Sequence, residues 1–259
     1  MTYFESIILG LIQGITEFLP ISSSGHLIIA REFLGLSLEG SLSFDVFIHL
    51  ATLLAILIAF RGDISRLVHD LFTQGFSTRS NKLFWALVWG TIPAAVMGFF
   101  FQSEIESIFR HAHFVAYALI AGSIVFFIAD RIPHEGEGGI TKLKGLFVGV
   151  FQTFALIPGV SRSGITISGG LLFGLSREEA IRFTFLLGIP VFIGAGLKTF
   201  LDLGSNFAYN DPIIWVGFVA AFISGLATIK FLIKFLARHS FNVFIIYRLL
   251  LATLILWLL

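Results

Sequence analysis

Apolar residues in this chain come in long continuous blocks rather than in the alternation of strands. Full blocks lie at about 44–60, 83–101, 114–129, 183–200, 212–236 and 243–259. A helix needs about 17–25 such residues to cross a bilayer, so each block predicts a transmembrane helix. The absence of period-two alternation argues against a membrane β-barrel. Two further apolar regions are interrupted. In the first, about Ile7 to Leu36, Glu17, Pro20, Ser22-Ser23-Ser24 and His26 leave halves of roughly 7–19 and 27–36, each too short to span. The second, about 145–175, breaks at Pro158-Gly159 and Ser161-Arg162-Ser163-Gly164. In hydrocarbon every backbone polar group must be satisfied, so broken backbone survives only inside protein or beside a cavity. Both regions therefore predict re-entrant helix–loop–helix pairs.

Composition agrees. Hydrophobic residues make up 56%, charged residues only 13%, and mean hydropathy is +0.94, whereas soluble domains carry about 25% charge. The expectation is one all-α integral membrane domain over 1–259, with about six transmembrane helices and two re-entrant broken pairs. The first segment is not expected to be a cleaved signal, since it lacks a basic start and an A-x-A site and carries Glu5. There is no cysteine, which excludes disulfides, thiolate metal sites and cysteine nucleophiles. The net charge of +1 points to no partner, no nucleic-acid partner is expected, and a homodimer stays open.

Lys and Arg collect in 61–82 (Arg61, Arg66, Arg79, Lys82), 130–144 (Arg131, Lys142, Lys144) and 230–240 (Lys230, Lys234, Arg238). The 102–113 and 201–211 loops are led instead by Glu104, Glu106, Asp202 and Asp211. The positive-inside rule then puts the three basic regions in the cytoplasm, provided one broken pair enters from each side. Both termini fall outside. An offset of 139 residues pairs Gly10 with Gly149 and Gln13 with Gln152. It also pairs Ser22, Ser24 and Gly25 with Ser161, Ser163 and Gly164, Ile28 with Ile167, and Gly35-Leu36-Ser37 with Gly174-Leu175-Ser176. The halves, approximately 1–130 and 140–259, read as an inverted-topology repeat. Such repeats place their sites near the midplane where broken helices meet.

The meeting point would hold Glu17, Ser23, His26, Ser161, Arg162 and Thr166. An arginine at bilayer depth costs at least about 2.5–3.5 kcal/mol. One reading pairs Arg162 with a carboxylate, Glu17 foremost, to lock the halves together. The other joins Arg162, Ser161, Ser163 and Thr166 to a helix N-terminus as a phosphate cradle. Glu17 and Gln13, four apart, share a helical face; Glu17 then orients His26, acts as acid or base, or helps hold a divalent cation. His26 is a candidate nucleophile or proton donor, or merely packs. Asp45 and His49 share a face as an interface pair, a supporting shell or a metal contact. Arg248 and Lys198 are expected to snorkel to the nearer membrane face.

Gln13-Gly-Ile-Thr-Glu17-Phe-Leu-Pro20-Ile-Ser-Ser-Ser-Gly-His26 and Pro158-Gly-Val-Ser-Arg-Ser-Gly-Ile-Thr166 resemble the bacterial undecaprenyl-diphosphate phosphatase family, also called bacitracin-resistance proteins. They fit its (E/Q)xxxE and PGxSRSxxT patterns. The resemblance implies a multi-pass protein of the bacterial cell membrane that removes the terminal phosphate of a polyprenyl diphosphate. The product is the lipid carrier for peptidoglycan and related polymers. It also implies a divalent cation, Mg²⁺ or Ca²⁺, and a site opening toward the outer face. By position it makes Glu17, His26, Ser23, Ser161, Arg162 and Thr166 the catalytic or phosphate-binding set, with Ser163 beside them, and leaves open whether Ser23 or His26 is the nucleophile. Gln13 stands where many members carry Glu and so cannot be an anionic metal ligand or base. Broken helices around a midplane site also suit a transporter or flippase of an anionic lipid. A carrier, however, needs no proton donor or nucleophile beside its anion site.

The topology is checked in a chain with no native cysteine. A cysteine placed in 61–82 or 130–144 should label from the cytoplasm and one in 102–113 or 201–211 from outside. Labelling of 61–82 and 102–113 from the same side would remove a span and the inversion with it.

Overall fold

A computed structural model describes residues 1–36, 42–73, 79–109, 111–132, 138–203 and 210–258. Ser37, expected to pair with Ser176, lies outside them, as do parts of four of the five regions used to assign orientation. The described chain is helical: α1 (Tyr3–Phe18), α2 (Ser23–Phe33), α3 (Leu42–Ala59), α4 (Arg61–Thr73), α5 (Arg79–Phe109), α6 (Ala112–Arg131), α7 (Lys142–Thr153), a 3₁₀ turn (Phe154–Leu156), α8 (Arg162–Leu172), α9 (Arg177–Leu203), α10 (Pro212–Leu236) and α11 (Asn242–Leu258).

Among the described residues, four single helices (α5, α6, α9 and α10) are long and apolar enough to cross a membrane. The span expected at 44–60 qualifies only as the pair α3–α4, bent by 71°. The 17 residues of α11 sit at the lower limit of spanning length. The expected 61–82 loop begins as a helix instead. In α4 apolar Ile64, Leu67, Val68 and Leu71 recur at helical spacing among charges, a pattern whose apolar stripe can pack while its charges stay wet.

Both breaks arise from the same local chemistry. A capping box of Thr2 and Glu5 opens α1. The helix ends because Pro20 forces the preceding residue out of helical space: Leu19 has φ −65° and ψ 143°. In the second region, Ile157 before Pro158 has φ −78° and ψ 118°. The chain then turns through a serine with positive φ, Ser22 at 73° and Ser161 at 75°, the two such non-glycine residues among those described. Both cap the following helix, Ser22 Oγ accepting from Gly25 N–H and Ser161 Oγ from Gly164 N–H. α2 and α8 close with matching Schellman bonds. Leu36 N–H donates to Arg31 O and Leu175 N–H to Gly170 O, each beyond a glycine at positive φ, Gly35 and Gly174. The serine caps and the glycine closures recur at the 139-residue offset, and the two prolines stand 138 apart.

The first helix of each broken pair packs on a helix from the other half, α1 on α10 and α7 on α5. Small residues permit the crossings, as membrane helix contacts require: a Cβ on Gly10 would come 2.3 Å from Gly217 O, and one on Gly149 2.3 Å from Gly90 O. The central apolar cluster gathers Phe18, Phe126, Phe185, Phe241 and residues of α8. Every residue of α8 from Ser163 to Leu171 is buried. Only Gly25, Leu27 and Arg31 are buried in α2, so α2 is the less enclosed of the two helices.

Gly149→Val forces a side chain against the Gly90 backbone at the α5–α7 crossing, where overpacking costs about 1–3 kcal/mol. The variant should melt several degrees lower in detergent, while Val at exposed Gly62, which has open space around it, should change little. Equal melting temperatures would show that the crossing tolerates a side chain.

Candidate active site

Glu17, one residue before the end of α1, is the centre of a buried polar cluster. Its Oε1 accepts from Arg162 Nη2 at 3.1 Å, an ion pair joining the first break to the second. Its Oε2 accepts from Ser23 Oγ at 2.6 Å and from Gln13 Nε2 at 2.9 Å. Arg162, first residue of α8, also donates to Thr184 O at 3.5 Å and lies over the Phe192 ring at 4.5 Å. Gly188 leaves room for it, since a Cβ there would come 2.2 Å from Nη1. Of the residues expected to meet, the structure brings together Glu17, Ser23 and Arg162, with Gln13 beside them.

A cavity of about 320 Å³ adjoins this cluster between α2, α3 and α9, with Ser24, Arg31, Asp45, His49 and Gln102 among its polar lining. It reaches the cluster through His49, whose Nε2 is 3.9 Å from Glu17 Oε2, and through Phe192. Ser24, Leu27, Ile28 and Arg31 face it from α2, the i, i+3, i+4, i+7 stripe of one helical side. Asp45 and His49 do not pair through their side chains. The Asp45 carboxylate holds Arg31 in a two-pronged ion pair, and His49 Nδ1 bonds the Asp45 carbonyl at 2.7 Å. A carbonyl only accepts, so His49 carries a proton on Nδ1 and turns Nε2 toward Glu17.

Three expected features come out differently. His26 lies about 200° round α2 from Ser24, away from that stripe; its Nδ1 donates to Ser22 O at 2.7 Å and its Nε2 meets the Tyr247 hydroxyl at 2.7 Å. Glu17 therefore does not orient His26. Ser161, Ser163 and Thr166 are buried, and their hydroxyls are engaged within the second break or across to the first. Ser161 caps α8, Ser163 Oγ donates to Leu19 O at 3.2 Å, and Thr166 Oγ1 donates to Arg162 O at 2.7 Å. They set the place of Arg162 rather than face the cavity. Arg248 is wholly buried, not snorkelling. Lys198 donates to Gln102 at 3.3 Å.

Sequence reasoning passed over Arg31, Tyr247 and the burial of Arg248. For Arg31 the signal was present: an arginine within an apolar segment needs a carboxylate, and Asp45 stands near the start of the next apolar block.

For a divalent cation, the described residues contain no group of three or more His, Asp or Glu suited to hold one. Gln13 Oε1 is nevertheless a buried acceptor without a hydrogen-bond partner among the described residues, beside the Glu17 carboxylate. That oxygen pair fits a hard cation of the kind that completes its shell with substrate phosphates.

An all-helical membrane protein with a carboxylate, a hydroxyl and a guanidinium joined at paired helix breaks is built like a membrane enzyme acting on an anionic group. The chain belongs to the bacitracin resistance protein BacA family, whose sequence model matches residues 6–254. It is 43% identical over 266 residues to an undecaprenyl-diphosphatase of Alteromonas mediterranea, covering 99% of this chain and 98% of that protein. It is 40% identical to one from Elusimicrobium minutum (98% and 97% covered) and 43% identical to one from Hahella chejuensis (100% and 99%).

Arg162→Lys keeps the charge but loses the planar fork that spans Glu17 and Thr184 O. Turnover should fall about 10²-fold or more, with insertion and purification unchanged. Near-full activity would reduce Arg162 to a point charge.

Proposed function

We propose that this protein is an undecaprenyl-diphosphate phosphatase that hydrolyses the terminal phosphate of its lipid substrate at the Glu17–Ser23–Arg162 cluster. The observation that carries the reading is the Ser23 hydroxyl donating at 2.6 Å to the same carboxylate that holds Arg162. The full-length likeness to curated undecaprenyl-diphosphatases supplies the substrate class.

A hydroxyl is a weak nucleophile until a base takes its proton. The substrate's terminal phosphate competes for the Arg162 fork, which loosens the ion pair and leaves Glu17 as that base. Ser23 Oγ bonds to the terminal phosphorus, its proton passes to Glu17, and the bond to the bridging oxygen breaks. The lipid monophosphate leaves with the electron pair. After Glu17 releases its proton to solvent, it takes another from an attacking water and returns it to the Ser23 oxygen as inorganic phosphate departs. Arg162 and the N-terminus of α8 stabilise charge on the transferring group, where phosphoryl transfer gains most.

Glu17 and Gln13 Oε1 would hold a Mg²⁺ or Ca²⁺ ion together with the diphosphate. Such an ion, when bound, offsets phosphate charge. Asp45, Arg31 and His49 form the polar wall past which the head group enters. His26 holds the turn before Ser23 through its bond to Ser22 O.

The cavity reaches Gln102 and Thr199, beside the acidic loops assigned to the outside, so the site opens outward from a bacterial inner membrane. This activity would recycle the lipid carrier for cell-wall synthesis, and through it influence cell shape and bacitracin resistance. One-sidedness has a source in the sequence. Positions 139 residues beyond Glu17, His26, Arg31, Asp45 and His49 hold Leu156, Ile165, Gly170, Thr184 and Gly188. The second break contributes Arg162 and little other chemistry.

Purified protein with Mg²⁺ or Ca²⁺ should release phosphate from undecaprenyl diphosphate. Ser23→Ala should lose about 10²–10⁴-fold, while His26→Gln, which can still bond Ser22 O, should keep more turnover than Ser23→Ala. The reverse order would return the attacking role to His26.

A further inference from the structure

Arg248 is the largest fully buried side chain among the described residues, and its partners there are neutral. Nε donates to Ser123 Oγ at 3.0 Å. Nη2 donates to Leu119 O at 3.0 Å, Gly159 O at 3.1 Å and Ala118 O at 3.4 Å, and Nη1 donates to Pro20 O at 3.4 Å. One face of the guanidinium lies 4.7 Å from the centre of the Phe126 ring. Gly122 is small where it must be, because a Cβ there would come 2.4 Å from Nη2.

Two of these acceptors are special. Pro20 and Gly159 stand 139 residues apart, each just before the positive-φ serine of its break. A helix that stops leaves carbonyls without partners, and in hydrocarbon those carbonyls need donors from elsewhere. A single planar fork, rigid in the plane of its five N–H groups, satisfies one such carbonyl from each half. Ser23 follows Pro20 by three residues and Arg162 follows Gly159 by three, so the fork fixes how the serine and the phosphate-binding guanidinium face each other. The hydroxyl of the adjacent Tyr247 holds His26 Nε2. Neither residue lines the cavity.

We infer that Arg248 is a positioning residue of the active site: it clamps the two helix breaks in one register, with Tyr247 fixing the first turn of α2 from the same helix. This rests on the phosphatase reading for its kinetic arm only. A lysine carries the charge but has no fork to bridge two fixed carbonyls.

The test compares Arg248→Lys and Gly122→Ala, the second keeping the arginine but pushing its Nη2 aside, in phosphate release and in hydrogen exchange. Both variants should lower kcat at least tenfold with KM within about threefold, the signature of lost transition-state geometry rather than lost binding. Exchange should rise at 20–25 and 158–163 while α10 keeps its protection. Unchanged exchange at the breaks, or unchanged kcat despite faster exchange there, would overturn the inference. So would a general loss of protection in both variants, which marks plain structural packing. Should the unaltered protein release no phosphate, the functional reading falls, and the exchange arm alone decides whether Arg248 clamps the breaks.

Discussion

The ion pair between Glu17 and Arg162 is the contact on which this molecule turns. It joins residues 145 positions apart, one from each helix break, in a cluster where both side chains are largely buried. Two charges withdrawn from water are a net expense unless each is matched and hydrogen-bonded. Here Glu17 gathers three donors, and Arg162 adds a carbonyl and an aromatic face. The same matching makes the pair chemically ready. In the proposed mechanism an arriving phosphate offers Arg162 a substitute partner, and releasing Glu17 leaves it bonded to a hydroxyl.

Holding that pair requires two interruptions in the helical ladder, and an interruption inside hydrocarbon exposes backbone groups that must find partners. The structure solves this reciprocally. Ser22 Oγ accepts from Gly159 N–H at 3.1 Å, Ser163 Oγ donates to Leu19 O at 3.2 Å, and Arg248 reaches Pro20 O and Gly159 O together. Serines at positive φ, a conformation costing about 1–3 kcal/mol outside glycine, persist because these bonds fix them from both sides. The repeat supplies symmetric backbone, while the chemistry is unequal. α8 is sheathed on nearly every side, and α2 keeps one face toward the cavity.

Much of this was legible in the chain. Pro20 and Pro158 mark the breaks because each forces the preceding residue to extend, a local rule. The 139-residue correspondence shows in matching residues along the chain, and the nearness of Glu17 to Arg162 follows from an intramembrane charge needing its opposite. Facing was not legible. His26 and Ser24 stand two residues apart on one helix, and only the packing of α2 between α3 and α11 decides which of them meets the cavity. Arg248 resembles any arginine that could reach a membrane surface, and its orphan carbonyl partners exist only once both halves have folded. The α4 helix was hidden because its charges read as loop, although its apolar spacing is helical.

The most direct test of the account is a double-mutant cycle on Glu17→Gln and Arg162→Gln, read as melting temperature in one detergent. Removing one partner strands a buried charge, at about 3–5 kcal/mol, so each single variant should melt well below the parent protein. The double variant, with no charge left to strand, should melt above the sum of the two losses and close to or above the weaker single. Losses that simply add would mean that the two residues do not share an interaction, and that the breaks are held together by something other than this pair.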